Sequence, residues 1–194
     1  MKNLLISIFL LTAFPAFTQN DSLVYLNLEY DQNNRIVFSE VIQVDGVSKK
    51  ELFNRARKWF ADYYNSSETV IDLEDKESGI LIAKPLGYAN IPYILGFTAV
   101  KMFYTINIYV KDGRYKYEIT DIINETDPSE FNGYRSSKTN IESVINDYMV
   151  FKPNGKIREK SKNWKVATIK MVYKIADDLV ESMNNSVVDS DHDW

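Results

Sequence analysis

VSKKELFNRARKWFADYY, residues Val47–Tyr64, is the stretch around which the rest of the chain is organised. Ser48 is a good N-cap, because its hydroxyl accepts from amides of the first turn that have no helical partner. Glu51, three residues on, completes a capping box by reaching back to the Ser48 amide, and Val47 and Leu52 close a hydrophobic staple over it. Leu52, Ala56, Trp59, Phe60 and Tyr63 then follow the spacing of one helical face. Lys49, Lys50, Asn54, Arg57, Lys58 and Asp62 fall mostly on the other side. An aromatic on such a stripe is core rather than ligand site, so Trp59 belongs inside. This is a core helix, and the remaining segments read as a sheet built to cover it.

Phe97–Asp121 carries the clearest sheet signal. Tyr104, Ile106, Ile108 and Val110 alternate with Thr105, Asn107, Tyr109 and Lys111, the period of a strand with one buried face. Asp112-Gly113 tolerates the positive φ of a two-residue hairpin turn. Tyr115, Tyr117, Ile119 and Asp121 alternate with Lys116, Glu118 and Thr120 on the way back. Before the helix, Arg35–Val44 reads as a strand with a bulge or phase change near Ser39-Glu40. Asp21–Tyr30 alternates weakly and adds a first strand, joined through the turn residues Asp31-Gln32-Asn33-Asn34. After the helix, Asn65-Ser66-Ser67 is a break. Thr69–Leu73 and Gly79–Ala83 then flank Glu74–Ser78 as a further hairpin.

Glu125–Lys138, polar and holding Pro128 and Gly133, reads as a long loop. Thr139-Asn140-Ile141-Glu142 has the form of a second capping box, opening a helix over 139–149 with Ile141, Val144, Ile145, Tyr148 and Met149 as its stripe. Lys152-Pro153-Asn154-Gly155 ends it. A last helix spans 161–183, with Trp164, Ala167, Met171, Val172, Ile175, Leu179 and Met183 on one face. Residues 184–194 read as a disordered acidic tail. No repeat and no linker divides the chain. Strand, helix, strands, helix in this order describe an α+β domain, an antiparallel sheet with helices packed on one face.

The first 18 residues have the form of a signal peptide. Lys2 supplies the positive start, Leu4–Leu11 is almost wholly apolar, and Ala16-Phe17-Thr18 precedes the expected cut. The run stops at Pro15, too early for a comfortable membrane span. Export places the mature protein in the periplasm or outside the cell, and not across a membrane after leader cleavage. About 175 residues then remain, enough for one domain over 19–183 with its own core. The chain has no cysteine, which excludes disulfides, thiolate chemistry and a lipid-anchored lipoprotein. A net charge of −4 with both signs spread along the chain offers no basic stripe for nucleic acid.

The segments RIVFSEVIQVDGVSKKELFNRARKWFADYY, IDLEDKESGILIAK and YTINIYVKDGRYKYEITDI together resemble an exported bacterial domain of unknown function with a TBP-like fold, common in Bacteroidetes. The resemblance spans residues 35–123. It implies a β-α-β4-α sheet grip and carries no catalytic residues. On this reading the Tyr88–Phe97 insert and the C-terminal helices, at 139–149 and 161–183, lie outside the shared core.

The single histidine is His192, in the tail, where no fold would hold it as a catalytic base. Asp72, Glu74, Asp75 and Glu77 form the densest carboxylate cluster. Asp72 with Glu74 is the pair that a polysaccharide hydrolase would use, against the plainer reading of a solvated hairpin tip. No zinc, calcium or phosphate-loop spacing occurs, so no metal and no cofactor is expected. Tyr88-Ala89-Asn90-Ile91-Pro92-Tyr93-Ile94-Leu95-Gly96-Phe97 is an apolar run where a polar connection is usual. It is either a flap that binds through Tyr88, Ile91, Tyr93, Ile94, Leu95 and Phe97, or core under the C-terminal helices. The leading expectation is a non-enzymatic envelope protein that binds a small apolar ligand or a protein partner. The alternatives are an envelope polysaccharide hydrolase and a structural subunit of an envelope assembly.

Overall fold

The structure, a computed structural model, describes residues 19–64, 70–127, 133 and 135–185. The expected leader, the break at Asn65-Ser66-Ser67 and the tail beyond 185, His192 included, lie outside the described residues. The elements in chain order are α1 (Gln19–Val24), β1 (Glu29–Tyr30), β2 (Ile36–Gln43), α2 (Lys49–Tyr64), β3 (Ile71–Asp75), β4 (Ile80–Ala83) and β5 (Leu86–Tyr93). They continue with β6 (Gly96–Lys111), β7 (Arg114–Thr126), β8 (Ser137–Asn140), α3 (Glu142–Ile145), α4 (Asp147–Val150) and α5 (Glu159–Asn184).

Helix α2 starts as its cap dictates. Ser48 Oγ accepts the Glu51 amide at 3.2 Å. The reciprocal half of the box gives way to a stronger partner, for the Glu51 carboxylate takes the Arg55 guanidinium at 2.9 Å. Leu52, Ala56, Trp59 and Phe60 are buried as their spacing requires, and Tyr63 is partly buried against them. Trp59 spends its indole N–H on Asp178 of α5 at 2.8 Å, so the two helices meet side by side on one face of the sheet.

The strands form one antiparallel sheet in the order β1-β2-β7-β6-β4-β3, with β5 also on β6 and β8 also on β7. The length of β6 makes this possible. Its second half pairs with β4, from Ile80 opposite Tyr109 to Ala83 opposite Ile106. Its first half pairs with β5 along the same flank, from Leu86 opposite Phe103 to Tyr93 opposite Gly96. On the other flank β7 follows it throughout, with one slip of register between Phe103 and Thr105. Asp121 sits in that bulge at φ 53, a left-handed conformation that aspartate tolerates better than most residues, and its carboxylate accepts from Arg35 Nη1 at 2.6 Å. The extra residue keeps the buried set on the helix side, Tyr115, Tyr117 and Ile119 before it and Ile122 and Asn124 after it. The even-numbered residues Val100–Val110 of β6 are buried beneath the helices, while Phe97, Lys101, Phe103, Asn107 and Tyr109 look the other way and are half-buried or exposed. The fold is α+β with helices on one face. Apart from β5, β2-α2-β3-β4-β6-β7-α5 has the expected β-α-β4-α order.

Four local expectations are corrected. Residues 19–24 are helical, and Val24 packs into a small cluster with Val150 and Val166. Only Glu29–Tyr30 of that stretch are extended, and weak alternation cannot outweigh such docking. No bulge breaks β2, because Phe38, Glu40 and Ile42 face Ile119, Tyr117 and Tyr115 in unbroken register. The apparent phase change arises because Glu40, still exposed, stands on the helix-side face and accepts from Tyr117 Oη at 3.2 Å, while Val41 stands on the other face. The expected loop 125–138 is shorter, since Glu125 and Thr126 still pair with β8. The Thr139 capping box does not form, because Thr139 is a β8 residue opposite Asn124. Ile141 takes the N-cap place without a side-chain bond, and the helix breaks at Asn146, whose side chain caps α4 by accepting the Met149 amide at 2.9 Å.

Candidate functional site

The apolar run 88–97 is a hairpin. β5 turns into β6 at Ile94-Leu95, with Tyr93 opposite Gly96. Strand alternation then sorts its residues. Gly87, Ala89 and Ile91 face the helices, and Ile91 is 2% exposed. Leu86, Tyr88, Asn90 and Pro92 lie on the opposite face beside Phe103, Lys101, Ala99 and Phe97. Tyr88 is 55% exposed, Tyr93 64% and Phe97 69%, and the turn residues Ile94 and Leu95 are each 99% exposed. Of the six residues singled out in the sequence, five therefore share the tip and outer face of one hairpin, while Ile91 pins it to the core. Further along the same face the Lys138 ammonium stands 4.6 Å from the Phe103 ring centroid.

Two of the clefts on the helix side are walled by both sheet and helix. One, of about 540 Å³, is a notch between β5, α5 and the end of α2, lined by Tyr64, Tyr88, Asn90, Tyr104, Lys170 and Lys174 among others. Its floor depends on small residues. A Cβ on Gly87 would stand 3.0 Å from Tyr104 Cε1 and 3.2 Å from its hydroxyl, so any larger residue would push the Tyr104 ring aside by a few tenths of an ångström. The hydroxyls of Tyr64 and Tyr104 meet at 3.0 Å. Burial pushes both phenols above their ordinary value, which keeps them protonated and able to donate. The other cleft, of about 400 Å³, lies between β2 and α5, with Phe38, Glu40, Tyr117 and Tyr173 in its wall. Phe38 and Tyr173 meet edge to face at 6.4 Å.

Three of the four carboxylates of the β3–β4 hairpin are individually engaged. Asp72 pairs with Lys84 at 2.8 Å and Glu74 with Arg57 at 3.2 Å. Asp75 accepts the Ser78 amide at 2.9 Å, and the hydrogen bonds from Ser78 hold its carboxyl below the usual range. Among the described residues no group of three or more histidine, aspartate or glutamate side chains stands where it could hold a metal ion. Sequence reasoning missed Lys170 and Lys174 and the Tyr64–Tyr104 pair. A signal did exist. Gly87 and Ala89 on the buried face of β5, with Ala167 on α5, are too small to fill the space between strand and helix.

Residues 38–124 match a family described as a domain of unknown function (DUF4468) with TBP-like fold. The match runs through the 88–97 hairpin, which therefore lies within the family's span. A crystal structure of a DUF4468 family protein from Bacteroides ovatus is similar at a TM-score of 0.66 and 17% identity, over 81% of this chain and 91% of that one. A TBP-like protein from Parabacteroides distasonis gives a TM-score of 0.63 and 21% identity, over 80% of this chain and 97% of that one. At such identities the likeness is one of fold. A search of curated proteins finds no match to the chain.

Proposed function

We propose that this chain, which belongs through its residues 38–124 to the DUF4468 family of TBP-like fold, is an exported, non-enzymatic binding module that docks a protein partner of the cell envelope on its β5–β6 hairpin. One observation carries the reading: Ile94 and Leu95 are 99% exposed at a two-residue turn flanked by exposed Tyr93 and Phe97. Apolar side chains gathered on a projecting turn are costly to leave in water unless a partner covers them. A projecting hairpin tip is also the wrong shape for a small apolar ligand, which needs walls on several sides, and the right shape for insertion into a hollow on another protein. The inward Ile91 and Ala89 hold the hairpin against α5, so the tip is presented on a firm base. Tyrosine is among the side chains that most often carry binding energy at protein interfaces, and exposed Tyr93 stands beside the tip.

The test replaces Tyr93, Ile94, Leu95 and Phe97 together by Ser and compares the variant with the native protein after cross-linking in the host's envelope fraction. The expected result is a defined cross-linked protein that disappears in the variant at an unchanged melting temperature. Equal cross-linking by both proteins would overturn the reading. So would a small adduct in native mass spectra that is lost on denaturation and retained by the variant, which would favour ligand carriage elsewhere in the fold.

A further inference from the structure

The notch beside β5 offers a second surface, separate from the hairpin tip and independent of it. Among the described residues β5 pairs with β6 alone, so its other edge is open. In an antiparallel ladder, residues that exchange bonds with the partner alternate with residues whose N–H and C=O point away. The pair that closes a two-residue turn, here Tyr93 and Gly96, is of the bonded kind. Counting back, Pro92, Asn90, Tyr88 and Leu86 point away from β6. Two features agree. Proline, which has no N–H, is tolerated at an edge position of this kind, and the Pro92 carbonyl is reached from outside by Asn163 Nδ2 of α5 at 3.3 Å. The next outward groups, at Asn90, Tyr88 and Leu86, open into the notch.

The wall opposite them is α5. Lys170 and Lys174 line the notch, and no carboxylate does. Among the described residues neither lysine has a carboxylate within ion-pair distance. They also border a hollow holding Asp177, Asp178 and Glu181 on their far side, where Asp178 is engaged by the Trp59 indole. The lysines thus stand between β5 and those carboxylates, and the notch itself presents positive charge to β5. One helical turn separates the two lysines by about 6 Å along the axis. Alternate side chains of a strand are about 6.7 Å apart. A strand laid along β5 with carboxylates at every second position would set them against the two ammonium groups in step.

We propose that this notch takes an extended acidic peptide of a partner protein, added as a further strand on β5 through Leu86, Tyr88 and Asn90, with its alternate Asp or Glu side chains on Lys170 and Lys174. Backbone pairing supplies the fit and the lysines supply the selectivity for acidic sequence. The Tyr64–Tyr104 hydroxyl pair adds a donor at the floor.

A labelled heptapeptide alternating Glu with Thr serves as the probe, with its Gln-for-Glu twin as control, read by fluorescence polarisation at low salt. The native protein is expected to bind the Glu peptide about tenfold more tightly than the twin, the effect of two solvent-exposed ion pairs. Lys170→Glu with Lys174→Glu should abolish that preference and transfer it to a Lys-for-Glu peptide. Asn90→Pro, which removes an outward N–H without touching the ladder to β6, should weaken binding of the Glu peptide. Amide exchange should slow at Tyr88 and Asn90 on binding and stay unchanged at Ala89. Absence of binding, binding without preference between the Glu and Gln peptides, or binding that leaves the Tyr88 and Asn90 amides unprotected would each overturn the proposal. Because the probe never touches Tyr93–Phe97, this result and the hairpin-tip test can fail separately.

Discussion

Ile91→Ala and Ile94→Ala are the same chemical change three residues apart, and the structure makes them opposites. Ile91 is 2% exposed, on the helix side of β5 opposite Thr98 of β6, while Ile94 is 99% exposed at the turn. Truncating a buried isoleucine removes its transfer energy and leaves a cavity, together about 2–5 kcal/mol. Ile91 lies on an edge strand, where α5 can settle partly into the gap, so a value of about 3 kcal/mol is expected. For a domain of this size that lowers the melting temperature by about 6–12 °C. Ile94→Ala removes no buried area and should stay within about 0.5 kcal/mol of the native protein. Urea unfolding followed by tryptophan fluorescence, Trp59 lying in the core, gives both values in one series. Equal midpoints for Ile91→Ala and the native protein would refute the reasoning. A large loss from Ile94→Ala would mean that the strand is slipped by one residue, which turns its inward and outward sets over together.

Three further outcomes test other parts of the fold. Burial raises the phenols of Tyr64, Tyr104, Tyr115 and Tyr117 above their ordinary value near 10. The folded state thus favours the protonated form, so this stabilisation is whole below about pH 10 and declines as pH rises from there toward the raised values; phenolate absorbance for these four should appear only as the circular dichroism of the fold is lost, and free titration of all tyrosines in a folded protein would contradict it. Asp121→Ala loses the Arg35 bond and keeps a left-handed backbone that alanine resists, whereas Asp121→Gly loses only the bond, so glycine should be the milder change in thermal melts by about 1 kcal/mol. Gly87→Ala puts a Cβ 3.0 Å from the Tyr104 ring and should cost about 1–2 kcal/mol; in a Tyr104→Leu background that cost should largely vanish, and an undiminished cost would show that the ring is not the obstacle.

The parts legible in the sequence are those encoded by chain neighbours. The Ser48 cap and the Leu52, Ala56, Trp59, Phe60 stripe act within a few residues, as does the Asp112-Gly113 turn between β6 and β7, and all three appear in the structure. Where a local signal met a stronger distant partner, it lost. Thr139 through Glu142 has the form of a capping box, but Thr139 pairs with Asn124 of β7, and the Glu142 carboxylate accepts the Ile36 amide at 2.8 Å. Ser39-Glu40 reads as a bulge or phase change, yet β2 runs unbroken, with Glu40 on the helix-side face where the Tyr117 hydroxyl donates to it. In each case a hydrogen bond across about a hundred residues or fewer of chain outweighed a preference worth about 1 kcal/mol.

The sequence alone determined that a core helix lies under an antiparallel sheet, and that the apolar run 88–97 is the unusual feature of that sheet, because periodicity and turn chemistry are properties of adjacent residues. Only the tertiary structure decided how that run is used. The 16-residue β6 has room on one flank for both β4 and β5, so residues 88–97 become a hairpin whose alternation buries Ile91 and exposes Tyr88 and Phe97, while Tyr93 is exposed by its place beside the turn. The same placement leaves one edge of β5 open beneath Lys170 and Lys174, residues some eighty positions away in the chain. No local rule could join them, because which strand lies beside which helix is set by burying the whole core at once.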